Sequence, residues 1–320
     1  VFKKLENWIH IFKLFLGLGF CMLKVFYITA VIFIFFFFIY PLIGKSTASF
    51  LLVNMSNQDE MPRHFRICHQ ELAPSINSDH LSDLNASASA QFCANSLQKI
   101  LSILPTNKVT IVDLREESHG FINGDAVSWY GTRGWSNRGK TLDQIEDDQL
   151  QKLSKSGKQP FLVAYKQKTY PVLLFPRDIF TEEELAHSLN VDYLRLPVTD
   201  HCRPTDEIID QFLEFVKTLS PDTWLHFHCS AGQGRTTTFL VMYDIVKNAT
   251  KVSLENIVKR HEALGGINIL SLPSDHFWKH EHAEQRAEFI RLFYEYCKDG
   301  HHLETPWSLW FEKKWHALND

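Results

Sequence analysis

The stretch WLHFHCSAGQGRTTTF, residues 224–239, constrains this chain more than any other. WLHFH (224–228) reads as a buried strand and an apolar helix is expected near 235–247, leaving only a tight loop between them. Inside that loop lies Cys-x5-Arg-Thr, from Cys229 to Thr236. A free thiol is mostly protonated at neutral pH, and only its thiolate attacks. Unpaired N–H groups and the macrodipole at a helix N-terminus stabilise such an anion, as they would a bound phosphate. Gly232 and Gly234 let the loop turn so that the amides of Ser230, Ala231, Gly232, Gln233 and Gly234 converge on one point. Arg235 closes the ring and can grip two phosphate oxygens at once. Thr236 is placed to donate a hydrogen bond to the sulfur, which would help it leave a thiophosphate. The pattern points to Cys229 as nucleophile on a phosphate monoester, with a silent phosphate-binding module as the alternative.

Such chemistry needs a general acid for the leaving oxygen. VTDHCRPT (198–205) follows one expected strand and precedes a helix, and makes Asp200 the candidate. Asp206 reads instead as a helix-start aspartate, while His201 either contacts substrate or fixes the loop. Intact Cys229, Arg235 and Asp200 together argue against the silent module. The six cysteines include no CxxC pair, which leaves a disulfide scaffold or a zinc site without support. Cys202, close to the candidate acid, is a conceivable partner for a protective disulfide with Cys229.

Elsewhere strand and helix patterns alternate. Strands are expected over 108–114, 161–165, 170–175 and 192–198, and helices over 206–219, 253–264, 281–298 and 306–318. Thr205 caps the first of these helices, whose inner face is Ile208, Ile209, Phe212, Phe215, Val216 and Leu219. Residues 51–60 read as a polar linker and 76–90 as a loop rich in Ser, Asn and Ala. The fold class is therefore α/β, a sheet covered on both faces. A chain of 320 residues, 45% hydrophobic, can bury one large core or one core with an insertion. Its net charge of −4 and lack of a polybasic run exclude a general nucleic-acid binder. An acidic chain still handles an anionic substrate when its cations gather in one cleft.

Residues 1–50 read as a separate segment ahead of a phosphatase domain over 51–320. From Val25 to Gly44 the sequence carries no charge, long enough to span a bilayer, with Lys3, Lys4, Lys13 and Lys24 before it. A signal peptide or a membrane anchor through 25–44 is one reading, and a start at Met55 is the other. The first places the domain in a bacterial envelope or outside the cell; the second would leave it cytoplasmic.

HCSAGQGRT (228–236) resembles the phosphate loop of the bacterial protein-tyrosine-phosphatase-like inositol polyphosphatases, the cysteine phytases. PRHFR (62–66), VDLREESHGFINGDAVSWYG (112–131), TDHCRPT (199–205) and TPWSLW (305–310) are similar to that family as well. The resemblance implies a central mixed sheet flanked by helices, with a small β-barrel-like insertion around 118–190. It also implies stepwise removal of phosphate from myo-inositol hexakisphosphate without a metal or other cofactor. By position, Cys229 is the nucleophile, Arg235 the phosphate binder, Asp200 the acid, and His201, Arg66 and Lys279 substrate contacts, with Arg63 and His64 less certain. Asp113, Arg115 and Glu117 would brace the site. Where related enzymes carry several lysines, LSLPSDHFWKH (270–280) retains Lys279 alone, with His276, His280 and His282 nearby. Because histidine is charged mainly below about 6.5, substrate binding would weaken between about pH 5 and 7 if these side chains faced the substrate. Otherwise they merely occupy an exposed helix start. A protein-tyrosine or dual-specificity phosphatase is the second functional reading, and a lipid phosphatase a minor one.

Overall fold

The computed structural model describes residues 49–319, so the uncharged run 25–44 lies outside the described part. Its strands are β1 (Phe50–Met55), β2 (Arg66–Ile67), β3 (Ala86–Ala90), β4 (Val109–Arg115), β5 (His119–Ile122), β6 (Asp125–Tyr130), β7 (Leu162–Lys166), β8 (Tyr170–Leu174), β9 (Ile179–Phe180), β10 (Asp192–Val198) and β11 (Trp224–Cys229). The helices are α1 (Ala94–Ile103), α2 (Leu142–Gly157), α3 (Glu182–Ser188), α4 (Asp206–Thr218), α5 (Gly234–Asn248), α6 (Leu254–Ala263), α7 (His280–Lys298) and α8 (Trp307–Asn319).

A five-stranded sheet, in the order β10-β4-β11-β3-β2, carries the expected chemistry-bearing loop at the end of β11. Its strands run parallel except for β2, which pairs antiparallel with β3, so the sheet is mixed. Strand β4 is buried along its whole length. Val112 and Leu114 enter one core with Phe212, Phe239 and Phe293, while Val109 and Ile111 enter another with Leu97, Leu185 and Phe121. Both faces are thus covered, so that even Thr110, Asp113 and Arg115 of VTIVDLR are buried.

Two segments expected to be irregular are strands. ASASA (86–90) becomes β3, fully enclosed between β11 and β2. Its Ser and Ala composition reads as a loop, but this position admits only small side chains. The backbone of Gly232 approaches it so closely that a Cβ there would lie 2.3 Å from the Ala90 nitrogen. Ser87 and Ser89 hydroxyls also meet the buried His226 imidazole, at 2.9 and 3.1 Å.

The expected linker 51–60 opens as β1, with Leu51, Leu52 and Val53 buried. β1 pairs antiparallel with β6, Leu51 opposite Trp129, and parallel with β7, Leu52 beside Tyr165. The second sheet, β8-β7-β1-β6-β5-β9, therefore draws a strand from ahead of 118–190, and a chain begun at Met55 would lack it. By its hydrogen bonding it is an open sheet with β8 and β9 at the edges rather than the implied barrel. Helix α2 lies between β6 and β7 and is started by a Thr141–Gln144 capping box.

The remaining helices fall within a residue or two of expectation. α4 is capped by Thr205 and buries Ile208, Ile209, Phe212, Leu213 and Val216, with Phe215 and Leu219 half-buried. α5 is buried nearly all round and packs against α6 and α7. Asp244 on α5 accepts hydrogen bonds from Arg260 and His261 of α6 in full burial, and Arg260 donates onward to the Asp79 carbonyl. Among the described residues no helix is long and apolar enough to cross a membrane. Among the described residues the three apolar cores lie between Leu51 and Trp307, within the compact unit Ser49–Asp320.

Removing one member of a buried ion network strands the others. Asp244→Ala should lower the unfolding free energy by about 3–5 kcal/mol, read by urea denaturation. A loss below about 1 kcal/mol would mean that Arg260 and His261 find other partners.

Candidate active site

Strand β11 delivers Cys229, 2% exposed, to the mouth of the loop that α5 continues. Gly232 takes φ of +71°, a conformation open to glycine without strain, and packs against β3. Its amide then turns inward and donates to Cys229 Sγ at 3.2 Å. The loop therefore holds its sulfur by a backbone N–H. The Thr236 hydroxyl, expected in that role, is buried and makes no hydrogen bond. Both Cys229 and Cys202 are free thiols, so no disulfide joins them.

Arg66 does not face the substrate side. It is 2% exposed and donates to the Gly232 carbonyl at 2.9 Å and to Thr237 Oγ1 at 3.2 Å, which clamps the loop from behind. Burial lowers its pKa to about 10, still far above neutral, so it remains a cation. A short β2 turns this side chain inward, and it is Arg63 that lines the cavity over the loop.

Arg235 is anchored more firmly still. Its Nη1 donates to Glu117 Oε2 at 2.7 Å and to the Val198 and Leu114 carbonyls, while Nη2 donates to Glu117 Oε1 at 3.1 Å. Burial opposes its charge, but Asp200 and Glu117 outweigh that and hold the guanidinium well above its usual pKa. Burial likewise opposes ionisation of Glu117, yet Arg235 and Arg115 keep it far below the carboxylate range. The Nε–H of Arg235 is buried and unpartnered, a donor left over for an anion. The bracing implied for Asp113, Arg115 and Glu117 thus has a concrete form. Arg115 ties Glu117 to Gln91, and Asp113 accepts from Tyr193 and from the Arg115 amide.

Asp200 lies in the turn after β10, with Oδ1 3.3 Å from Arg235 Nη2. Trp135 Nε1, from the segment after β6, donates to the Asp200 carbonyl at 2.8 Å and fixes the turn. Trp278 packs edge-on to both Trp135 and His201, and the Arg133 guanidinium lies 4.3 Å from the Trp278 ring centre. His201 has φ of +71° and rests 3.3 Å from the Asp200 carboxylate. Burial, with help from Lys279 and Arg235 and against the pull of Asp200, lowers its pKa to about 4, so it is neutral near pH 7. Trp135 and Arg133, just beyond the stretch 112–131, and Trp278, beside Lys279, have no role assigned from sequence; folding brings them against the acid loop.

Above the loop opens a cavity of about 900 Å³. Ser230 and Ala231 line it beside Asp200, His201, Arg115 and Glu117. Its cations are Arg63, Arg115, Arg133, Lys166, Lys168 and Lys279, against the carboxylates Glu60, Glu117 and Asp200. Lys279 lines the cavity near His201 and Trp278. Lys166 ends β7 and Lys168 lies in the β7–β8 turn, far off in sequence, and nothing local marks them. None of His276, His280 and His282 lines the cavity. His280 bonds the Pro273 carbonyl and His282 packs on Trp135, so the pH dependence expected from them loses its basis.

Among the described residues, Asp113, His119 and Glu182 bring potential metal-ligand atoms within 4.8 Å of one another. Their charges are met within the protein: His119 lies between the two carboxylates, Arg195 beside Asp113, and Gln91 and His228 beside Glu182. Burial opposes ionisation of Glu182, but His228 and His119 lower its pKa to about 2. This network supports the far side of β11, and its α3 member, Glu182, had no signal in the sequence.

Residues 112–247 match the model of the family described as protein-tyrosine-phosphatase-like phytase, inositol hexakisphosphate. The structure is similar to that of the myo-inositol phosphatase of Mitsuokella multacida solved with myo-inositol-(1,3,4,5)-tetrakisphosphate. The TM-score is 0.80 at 33% identity, over 84% of this chain and 48% of that one. A phytase of this type from Bdellovibrio bacteriovorus matches with TM-score 0.67 and 32% identity, over 82% of this chain and 94% of that one. Effector protein hopD2 of Pseudomonas syringae pv. tomato is 28% identical over 247 residues, 73% of this chain and 52% of its own. The chain thus spans about half the length of that curated relative.

Burial, the neighbouring His228 and Arg66 together lower the His226 pKa to about 3, against the pull of Glu182. The unfolded imidazole binds its proton near 6.5, so between these values the unfolded state holds more protons. This contribution is complete above about pH 6.5 and is lost as pH falls toward about 3. Urea midpoints should therefore drop from about pH 7 to about pH 4, and drop less in His226→Gln. Equal slopes would assign the acid sensitivity to other groups.

Proposed function

Because the chain belongs to the protein-tyrosine-phosphatase-like phytase family, we propose that it hydrolyses inositol polyphosphates through a cysteinyl-phosphate intermediate. The observation that carries this reading is the buried Arg235, locked to Glu117 with its Nε–H unpartnered, between the Cys229 loop and Asp200. A phosphoryl group centred over Cys229 Sγ would accept from the loop amides and from the free edge of that guanidinium. Sγ attacks phosphorus, the ester P–O bond breaks, and the departing alkoxide takes the proton of Asp200. Water then cleaves the P–S bond, returns a proton to Asp200 and releases phosphate.

The cations around the cavity favour a substrate with several phosphates over a single phosphotyrosine. Arg63, Arg133, Lys166, Lys168 and Lys279 surround the space above the loop, where the remaining phosphates of an inositol ring would lie.

Phosphate release from myo-inositol hexakisphosphate, assayed without added metal, should be abolished by Cys229→Ser while substrate binding survives. Release from a phosphotyrosine peptide alone would keep the cysteine chemistry and move the substrate to protein. Asp200→Asn should slow inositol phosphate hydrolysis about 10²–10⁴-fold and spare an aryl phosphate, whose leaving group needs no proton. Trp135→Phe, which removes the N–H to the Asp200 carbonyl together with part of the ring packed against Trp278, should follow the same pattern at roughly tenfold. Equal losses on both substrates would remove Asp200 from the acid role.

A further inference from the structure

The β7–β8 hairpin is apolar on both faces. Ala164, Leu162, Val172 and Leu174 point into the small core beneath the second sheet. On the outer face Val163 pairs with Leu173 and Tyr165 with Pro171, and Phe161 and Phe175 flank them. Phe161, Val163, Leu173 and Phe175 are 51%, 49%, 58% and 58% exposed. An antiparallel pair at a sheet edge ordinarily turns polar residues to water, so an apolar outer face signals contact with something else.

Two further observations say what that is. Residues 158–177 contain Lys158, Lys166, Lys168 and Arg177 and no carboxylate, in a chain whose net charge is −4. The apolar face also runs on into the cavity wall, because Tyr165 lies beside Leu52, and Leu52 lines the cavity. We propose that the outer face of the β7–β8 hairpin docks on an anionic lipid surface. Phe161, Leu173 and Phe175 would enter the boundary between headgroups and acyl chains, and the cations would meet the headgroups. Lys166 and Lys168 belong to both the hairpin and the cavity lining, so docking brings the cavity mouth to the headgroup layer. A second copy of the chain fits this face less well. Pro171 removes a donor from the edge strand, and a two-fold pairing would bring like charges together.

The inference does not depend on the catalytic reading, and its test reads binding rather than turnover. Residues 49–320, the compact unit that holds the cores of the described residues, should float with vesicles of phosphatidylcholine and phosphatidylserine and not with phosphatidylcholine alone. Salt should weaken the binding. The double variant Leu173→Asp, Phe175→Asp should bind about tenfold more weakly or worse, with an unchanged melting temperature. Absence of vesicle binding by the unaltered chain, or equal binding by a folded variant, would overturn the proposal. So would a stable dimer that the same substitutions dissolve, which would assign the face to self-association.

Discussion

The Arg235–Glu117 pair is the interaction on which the rest of the site depends. Two charges taken out of water cost several kcal/mol each in isolation, and excellent geometry and extra hydrogen bonds must offset that. Here two parallel hydrogen bonds join them, Arg115 adds a second cation to Glu117, and two backbone carbonyls take the remaining Nη1 donation. The guanidinium is thereby aimed before any ligand arrives. Such preorganisation is what an anion site needs, since a free arginine would lose rotamer freedom on binding.

The site is a joint product of the two sheets. The five-stranded sheet supplies the thiol, the loop amides and Arg235, and the second sheet with its connections supplies Trp135, Arg133 and the β7–β8 cations. Asp200 lies where they meet, tied to Trp135 through its carbonyl and to Arg235 through its carboxylate. Small residues make this meeting feasible: Gly232 seats against β3, and β3 is built of Ala and Ser. Arg66 closes the arrangement from behind by holding the Gly232 carbonyl.

Much of the architecture was legible in the sequence because strand and helix periods are local. β4, β10, β11 and the helices from α4 onward lie within a residue or two of where periodicity put them. The failures share a cause. β3 and β1 look like loop and linker because their identity as strands comes from neighbours far along the chain. Small residues in β3 answer the approach of Gly232, and β1 is ordered by β6 and β7. Arg66 was assigned to the substrate because a basic residue in a matching stretch carries no sign of which way its strand faces.

What the sequence by itself determined was the set of groups proposed for the chemistry: Cys-x5-Arg between a strand and a helix, an aspartate on an earlier strand-to-helix loop, and a lysine after a tryptophan. Those features are short-range, and local spacing suffices to place a thiol, a helix N-terminus and a cation together. Only the tertiary structure decided which groups hold that chemistry and what surrounds it. Glu117 meets Arg235 across 118 positions, Trp135 meets Asp200 across 65, and Lys166 and Lys168 reach the cavity from a distant hairpin. Those partners are chosen by packing, which brings together side chains whose separation in sequence carries no information about their separation in space.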